Sequence, residues 1–530
     1  MAITSLTETE RKYDVDESTQ LPSLRELGEV RTDPEVTLRA VYYDTADGAL
    51  AARLITLRRR TGGKDEGWHL KTPGVDGRTE HQAPLGDEPP EAILDLVRAI
   101  LRGRPIAEVA RLITQRTIST LHGASGEELV EVADDLVSAT DVHKGILRVW
   151  REWEAELLDG APNDVRKRAA LLDSVESALV GAGATPSASY SKLARATGRT
   201  TLAPPATSAT PTAGSSESSG ATAATGSAGE TTALDVVLTV LRRLTDEIVA
   251  LDARVRQDEP DAVHTLRVTV RRLRGVLAAF RGVLDPATTD PIRVRLRSLG
   301  DVLGTARDAE VRRARAESLL AGETDGQREN GEEAAPVFQL DEDIRRRLVN
   351  DALGEYRARL AEVVTYLDSA EYFELLDDLD LLTARPPVGE SALVPARGVL
   401  RDIVRRTTRR ARKRLTDVDD ADLDALHAAR KASRRLRYVA EALTRGNDAP
   451  RGKKTVALAN AAEAVQDVLG DHRDATLFIG RLDETAREAT EAGENAAAYG
   501  ALATAERSNA EASIDRLGKA VKALKKAAKA

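Results

Sequence analysis

The rhythm of apolar and polar positions changes twice along this chain. Up to about residue 200 the apolar residues fall in short runs of period two, bounded by Gly, Asp or Pro: Arg39–Asp44, Leu54–Arg60, Gly67–Lys71, Glu128–Ala133 and Trp150–Leu157. Such alternation predicts strands. Two segments have helical spacing instead. Pro89–Leu101 opens on prolines, and Asn163–Val180 opens on Asn163 as N-cap with Asp164 in its first turn. From Ala203 to Thr232 the chain is Ala, Thr, Ser, Gly and Pro with almost no large apolar residue, so it cannot bury a core and reads as a flexible linker. From Ala233 onward the spacing is helical, with acidic loops or helix starts at Gly322–Glu333 and Asp417–Asp424. The pattern predicts a multidomain α+β protein: a strand-rich unit over 1–202, a linker over 203–232 and an all-α unit over 233–530.

The helical unit repeats itself. His264-Thr-Leu-Arg267-Val-Thr-Val-Arg271-Arg272-Leu-Arg274 returns as His427-Ala-Ala-Arg430-Lys431-Ala-Ser-Arg434-Arg435-Leu-Arg437, at an offset of 427 − 264 = 163. A second signature trails each copy: Leu303-Gly304-Thr-Ala-Arg307-Asp308 and Leu469-Gly470-Asp-His-Arg473-Asp474. Two motifs repeated in order mark an internal duplication, with repeats at about 233–385 and 390–530. On a helix, His264, Arg267, Arg271 and Arg274 share an arc of roughly 80°, beside the apolar stripe Leu266, Val270, Leu273 and Leu277. His427, Arg430, Arg434 and Arg437 repeat it, with Lys431 alongside. Each cationic row runs about 15 Å. One Arg-rich helix is most simply a solvated face; two copies, each opened by histidine, point to a polyanion.

Composition narrows the partners. The 530 residues carry a net charge of −9 and only 3% aromatics, which disfavours a general nucleic-acid binder and leaves little for stacking bases. Absence of cysteine excludes disulfides, thiolate zinc sites and a cysteine nucleophile. The N-terminus has no basic-then-apolar leader, and no apolar run is long enough to span a bilayer. The expectation is a soluble cytoplasmic protein with no membrane and no nucleic-acid partner. Oligomeric state is left open.

The strand-rich unit places charge at alternate positions. On a strand, Glu8, Glu10 and Lys12 point one way at about 6.6–6.8 Å per step of two. Arg58 and Arg60 share a face, as do Glu131 and Asp135, and Glu152, Glu154 and Glu156; Lys71, Arg78, Glu80, Arg116, Arg148 and Lys192 add further charge. Alternation favours Asp135 over Asp134 on the inner face and turns Trp153 outward. Such a face is either a surface laced with ion pairs or a closed barrel holding acids for metal and bases for phosphate. His69, His81, His122 and His143 lack ligand spacing and read as structural.

Glu8-x-Glu10-x-Lys12 resembles the ExExK signature of the CYTH domain, a triphosphate tunnel metalloenzyme. Tyr42-Tyr-Asp44-Thr45, Leu57-Arg58-Arg-Arg60, Leu70-Lys71-Thr-Pro, Glu131-Val-Ala-Asp-Asp135, Glu154-Ala-Glu156-Leu and Ser191-Lys192-Leu follow in family order. The resemblance implies an eight-stranded antiparallel β tunnel that hydrolyses a triphosphate with Mg²⁺ or Mn²⁺. Glu8, Glu10, Glu154 and Glu156 would be metal ligands, with Glu8, Glu10 and Lys12 catalytic. Lys12, Arg58, Arg60, Lys71, Arg116, Arg148 and Lys192 would hold the phosphates. The duplicated half resembles the CHAD domain, two four-helix units that bind inorganic polyphosphate. Its implied ligands are His264, Arg267, Arg271, Arg274, Arg307, His427, Arg430, Lys431, Arg434, Arg437 and Arg473. The enzymes this arrangement is similar to are inorganic triphosphatases, and the helical half would bring the chain to polyphosphate granules. The rival readings are a non-catalytic polyphosphate-targeting protein and a triphosphatase for thiamine or nucleoside triphosphates.

Overall fold

The computed structural model describes residues 3–74, 77–199, 231–320, 342–416, 422–444 and 452–529. The linker expected over 203–232 lies almost wholly outside these residues, as do Gly322–Glu333 and the first part of Asp417–Asp424. Two compact units form, Met1–Ala221 and Thr222–Ala530.

The first unit is one antiparallel sheet: β1 (Thr4–Glu8), β2 (Glu10–Val15), β3 (Glu29–Thr32), β4 (Val36–Thr45), β5 (Thr56–Thr61), β6 (Gly67–Pro73), β7 (Arg78–Ala83), β8 (Ile106–His122), β9 (Glu128–Asp141), β10 (Ile146–Leu157) and β11 (Thr185–Pro186). Its path runs β1-β7-β6-β5-β4-β8-β9-β10-β2-β11, and β3 pairs with β8. Only Thr9 separates β1 from β2. The first half of this opening segment pairs with β7, setting Glu8 opposite Arg78; the second half pairs with β10, setting Lys12 opposite Glu154 and Glu10 opposite Glu156. The path therefore starts on β1 and returns to β2 of the same segment, with the short β11 added beyond it, and the strands close into the expected tunnel.

Helices seal the outside and one end. α1 (Glu91–Asp95) and α2 (Arg98–Leu101) replace the single helix expected over Pro89–Leu101. α3 (Val165–Gly181) is capped by Asp164, not Asn163: the Asp164 carboxylate accepts from the Lys167 N–H at 3.0 Å. Leu172, Val175 and Leu179 of α3 pack on Tyr13, Val130, Val132 and Trp153. Trp153 thus turns out of the lumen yet is fully buried. α4 (Lys192–Thr197) joins Leu193 and Ala196 to the inward-facing Tyr42, Ala110, Leu112, Val137, Ala139 and Trp150. That apolar layer plugs one end and leaves the charged layer to line the rest.

The second unit is helical: α5 (Ala233–Arg256), α6 (Ala262–Ala279), α7 (Pro286–Leu320), α8 (Glu342–Arg345), α9 (Asp351–Leu367), α10 (Ala370–Ala384), α11 (Ala396–Thr416), α12 (Leu423–Ala442), α13 (Lys453–Glu491) and α14 (Ala497–Ala527). The offset of 163 that relates the histidine motifs also relates the starts of α5 and α11. α6 and α12, which carry the two motifs, pack against each other. Their Leu266, Val270, Leu273 and Leu436 are buried, as the apolar stripe predicts.

Candidate functional site

Alternation along the closed sheet delivers the tunnel's charges to one cavity of about 570 Å³. Glu8, Glu10, Lys12, Arg58, Arg60, Lys71, Arg116, Glu154, Glu156 and Lys192 all line it. The Thr9 break does not scatter the opening motif, because Glu8 and Glu10 flank it and still face the same space.

Two ion-pair groups divide the wall. In the first, Lys192 Nζ lies 2.9 Å from Asp135, 2.7 Å from Glu152 and 2.7 Å from Glu154. Arg116 makes two 2.7 Å bonds to Asp135 and a third, at 2.9 Å, to Glu154. Asp134 points outward to Arg151 at 2.6 Å, so the inward acid is Asp135. Asp135, Glu152 and Glu154 bring ligand atoms within 4.8 Å of one another, a spacing a metal ion would accept. The Lys192 ammonium already stands among them, however. Burial alone would raise the Glu154 carboxyl, but Lys12, Lys192 and Arg116 hold it well below the usual range.

The second group surrounds Glu8. Lys71 Nζ is 2.6 Å from Glu8 and 3.6 Å from Glu80, and Arg58 is 3.4 Å from Glu80. Lys12 bonds Glu10 at 2.7 Å and also contacts Glu154. Glu156 differs: no ion pair engages it among the described residues. Burial, then the charge of Glu8, pushes its carboxyl up to about 8. Burial and Glu80 likewise push Glu8 up to about 7. Burial acts against Glu10 too, yet Lys12 holds it below the ordinary value. Glu8, Glu10 and Glu156 thus line one cavity as hard oxygen donors, Glu8 and Glu10 each held by a lysine and Glu156 without an ion pair among the described residues. Carboxylate oxygens of this kind suit a hard divalent metal ion.

Arg148 is the expected phosphate ligand that does not join the others. It lies four residues before Glu152 on β10, about 13 Å along the strand, beyond the Trp150 layer. Its guanidinium donates to the Ala196 carbonyl at 2.6 Å, so it fastens α4 instead. Conversely, the cavity takes in Tyr42, Arg78, Glu80 and Glu131, which the motif reading left without roles. His69, buried behind them, shares a 3.0 Å hydrogen bond with Glu80. Burial would raise the Tyr42 phenol, but Arg58, Lys192 and Lys71 outweigh it and hold it below its ordinary value. Register was the available signal: Lys71 stands opposite Glu80, and Arg58 opposite His69.

In the helical unit the two arginine rows converge. Burial, then Arg271, lowers both Arg267 and Arg434, the latter to about 10. Burial lowers Arg430 against the pull of Asp474, with Arg473 and Arg271 adding to the fall. The copies thus feel each other's charge across the α6–α12 contact. Among the described residues no ion pair engages Arg271, Arg274, Arg430, Lys431, Arg434 or Arg473. Arg267 reaches Asp308 at 3.5 Å, Arg307 pairs with Glu310 at 2.8 Å, and Arg437 with Glu441 and Glu463 at 2.7 and 2.6 Å. The trailing signature now has a reason. A Cβ on Gly304 would lie 3.1 Å from the Arg267 guanidinium, and one on Gly470 3.2 Å from that of Arg430. Each glycine makes room for the same row position in its repeat.

The fold is a closed β tunnel with a charged lumen, in one chain with a duplicated helical unit bearing converging arginines. The CYTH domain family matches residues 6–181 and the CHAD domain family residues 239–483. The chain is 35% identical over 541 aligned residues to Rv2226 of Mycobacterium tuberculosis, described as an uncharacterized protein, covering 98% of this chain and 96% of that one. The chain belongs to the family of proteins that carry a CYTH domain followed by a CHAD domain. Similar solved structures include the CHAD domain from the plant Ricinus communis, at 24% identity and TM-score 0.39 over 57% of this chain and 93% of that one. PptA from Streptomyces chartreusis is 19% identical with TM-score 0.42, covering 55% and 100%. No helix among the described residues is long and apolar enough to cross a membrane.

Proposed function

We infer that the tunnel hydrolyses inorganic triphosphate with a divalent metal ion, and that the helical unit binds inorganic polyphosphate. The observation that carries this reading is the cavity wall. Seven bases (Lys12, Arg58, Arg60, Lys71, Arg78, Arg116 and Lys192) face one space with the carboxylates Glu8, Glu10 and Glu156. Lys12, Arg58 and Lys71 are paired with acids in the structure. A phosphate chain entering the cavity offers these cations new oxygens and lets Glu8, Glu10 and Glu156 turn to metal. Arg60 supports the same reading: burial, then Arg58 and Arg116, lowers it to about 9, so a phosphate there relieves repulsion. The ion, Mg²⁺ or Mn²⁺, when bound, supplies charge neutralisation and an activated water. The bases bind and straighten the phosphates and steady the charge gathering on the leaving group.

Inorganic triphosphate is favoured over thiamine and nucleoside triphosphates because Tyr42 is the one aromatic lining the cavity among the described residues, and cations crowd its phenol. The test is phosphate release from tripolyphosphate, ATP and thiamine triphosphate, each with Mg²⁺ and with a chelator. The expected result is metal-dependent release with tripolyphosphate the best substrate. Tripolyphosphate left intact at saturating Mg²⁺ would overturn the enzyme reading in favour of a targeting protein.

A further inference from the structure

The second helical repeat carries a basic groove that neither arginine row uses. α11 holds nine basic residues against one acid, Asp402, whereas its counterpart α5 balances four basic residues with four acidic ones. Arg401, Arg405, Arg409, Arg412 and Lys413 of α11, with Lys454 in the first turn of α13, wall a groove of about 790 Å³. All six are exposed, and none makes an ion pair among the described residues. Val404, Leu458, Ala527 and Ala528 supply the apolar lining, and the Thr408 hydroxyl is buried there with no hydrogen-bond partner.

The duplication supplies an internal control. At the offset of 163, Arg401, Arg405, Arg409, Arg412 and Lys413 correspond to Leu238, Arg242, Asp246, Val249 and Ala250. Leu238 and Val249 are buried, and α10 packs on α5. Arg242, Asp246 and Ala250 are exposed; a face that is part packing surface and of mixed charge in the first repeat is thus an open row of cations in the second. The substitution works against the isolated helix, because Arg401, Arg405, Arg409 and Lys413 form successive i,i+4 repulsions. Nothing in the fold of α11 calls for them.

We propose that this groove is a second binding site for a phosphate polyanion, an inorganic polyphosphate chain. Arg401 to Lys413 spans about 18 Å along the helix. Guanidinium and ammonium groups at one-turn intervals match successive phosphate oxygens without a directional base. No aromatic residue lines the groove, whereas sequence-indifferent binding of single-stranded nucleic acid relies on stacking bases against aromatic rings. The site rests on the polyphosphate reading of the helical unit and enlarges it: one chain engages the rows on α6 and α12 and, separately, α11.

Calorimetric titration of the full chain with long-chain polyphosphate, at several salt concentrations, tests the site. Two variants are compared with the parent: Arg401→Gln/Arg405→Gln/Arg409→Gln/Arg412→Gln in the groove, and Arg271→Gln/Arg434→Gln in the rows. The groove variant is expected to melt no lower than the parent, since it removes repulsion. It should bind roughly tenfold or more weakly, with a log–log salt slope shallower by about 3 for four lost contacts. The corresponding Arg→Lys variant should keep the slope. Parent affinity and slope in the groove variant, with binding lost in the row variant, would overturn the second site and leave the first. Parent behaviour in both would overturn the polyphosphate reading as a whole. A single-stranded oligonucleotide of equal charge that binds as tightly, and loses the same factor in the groove variant, would overturn the assignment of the ligand.

Discussion

The smallest determinants of the helical site are two hydrogens on Gly304 and Gly470. Each glycine sits inside a long helix, where alanine is ordinarily the better residue by about 0.5–1 kcal/mol. Each also faces the guanidinium of Arg267 or Arg430, the flexible end of a side chain that can move aside. Gly304→Ala and Gly470→Ala should therefore leave the melting temperature unchanged or slightly raised. Polyphosphate affinity should fall roughly threefold to tenfold, because one arginine per row is displaced. Melting and titration on the same sample check it; a fall in stability with unchanged binding would make the glycines packing residues only. The signature Leu-Gly-x-x-Arg-Asp was legible in the sequence, but its purpose was not. Only the approach of α7 to α6, and of α13 to α12, shows what the missing side chain avoids.

At the scale of elements, period-two alternation foretold the tunnel wall, because inward and outward faces obey one rule on every strand. Asp135 inward and Trp153 outward both follow from it. Alternation cannot say how far along the lumen a residue lies, so Arg148 was grouped with a cavity from which the Trp150 layer separates it. The α4 plug was equally hidden, since its apolar partners are dispersed over β4, β8, β9 and β10. The histidines that open the arginine rows sit among cations, which sets their titration. Burial, then Arg307 and Arg271, pushes His264 down to about 4, and burial with Lys431 lowers His427. A histidine whose folded value is depressed contributes stability that is present above its unfolded value of about 6.5 and lost as pH falls toward the folded value. The helical unit should thus lose stability between about pH 6.5 and 4, on the order of 1 kcal/mol from His264 after solvent screening. Melting curves of the parent and His264→Gln over that range decide it: the variant should show the shallower decline. Bound polyphosphate should raise the histidine and reverse the effect, seen as proton uptake on binding near pH 5.

At the scale of the molecule, each unit has its own core and its own candidate site. The change of rhythm near residues 203–232 spans the boundary between these units at Ala221 and Thr222. Residues 1–202 expressed alone are expected to release phosphate from tripolyphosphate, and residues 231–530 alone to bind long-chain polyphosphate. Loss of both activities on separation would tie each site to the other unit. The second groove is not legible in the sequence, because the open face of α11 is defined only by its neighbours and by comparison with its counterpart α5.

The carboxylates that open the chain are proposed to hold a metal ion for triphosphate hydrolysis, and Glu10→Gln tests that claim. The substitution keeps the shape of the side chain and removes a metal donor, and Lys12 retains Glu154 as a partner. Phosphate release from tripolyphosphate at saturating Mg²⁺ should fall roughly 100-fold or more, with the melting temperature and polyphosphate binding close to those of the parent. Turnover near the parent's rate by the folded variant would contradict the claim.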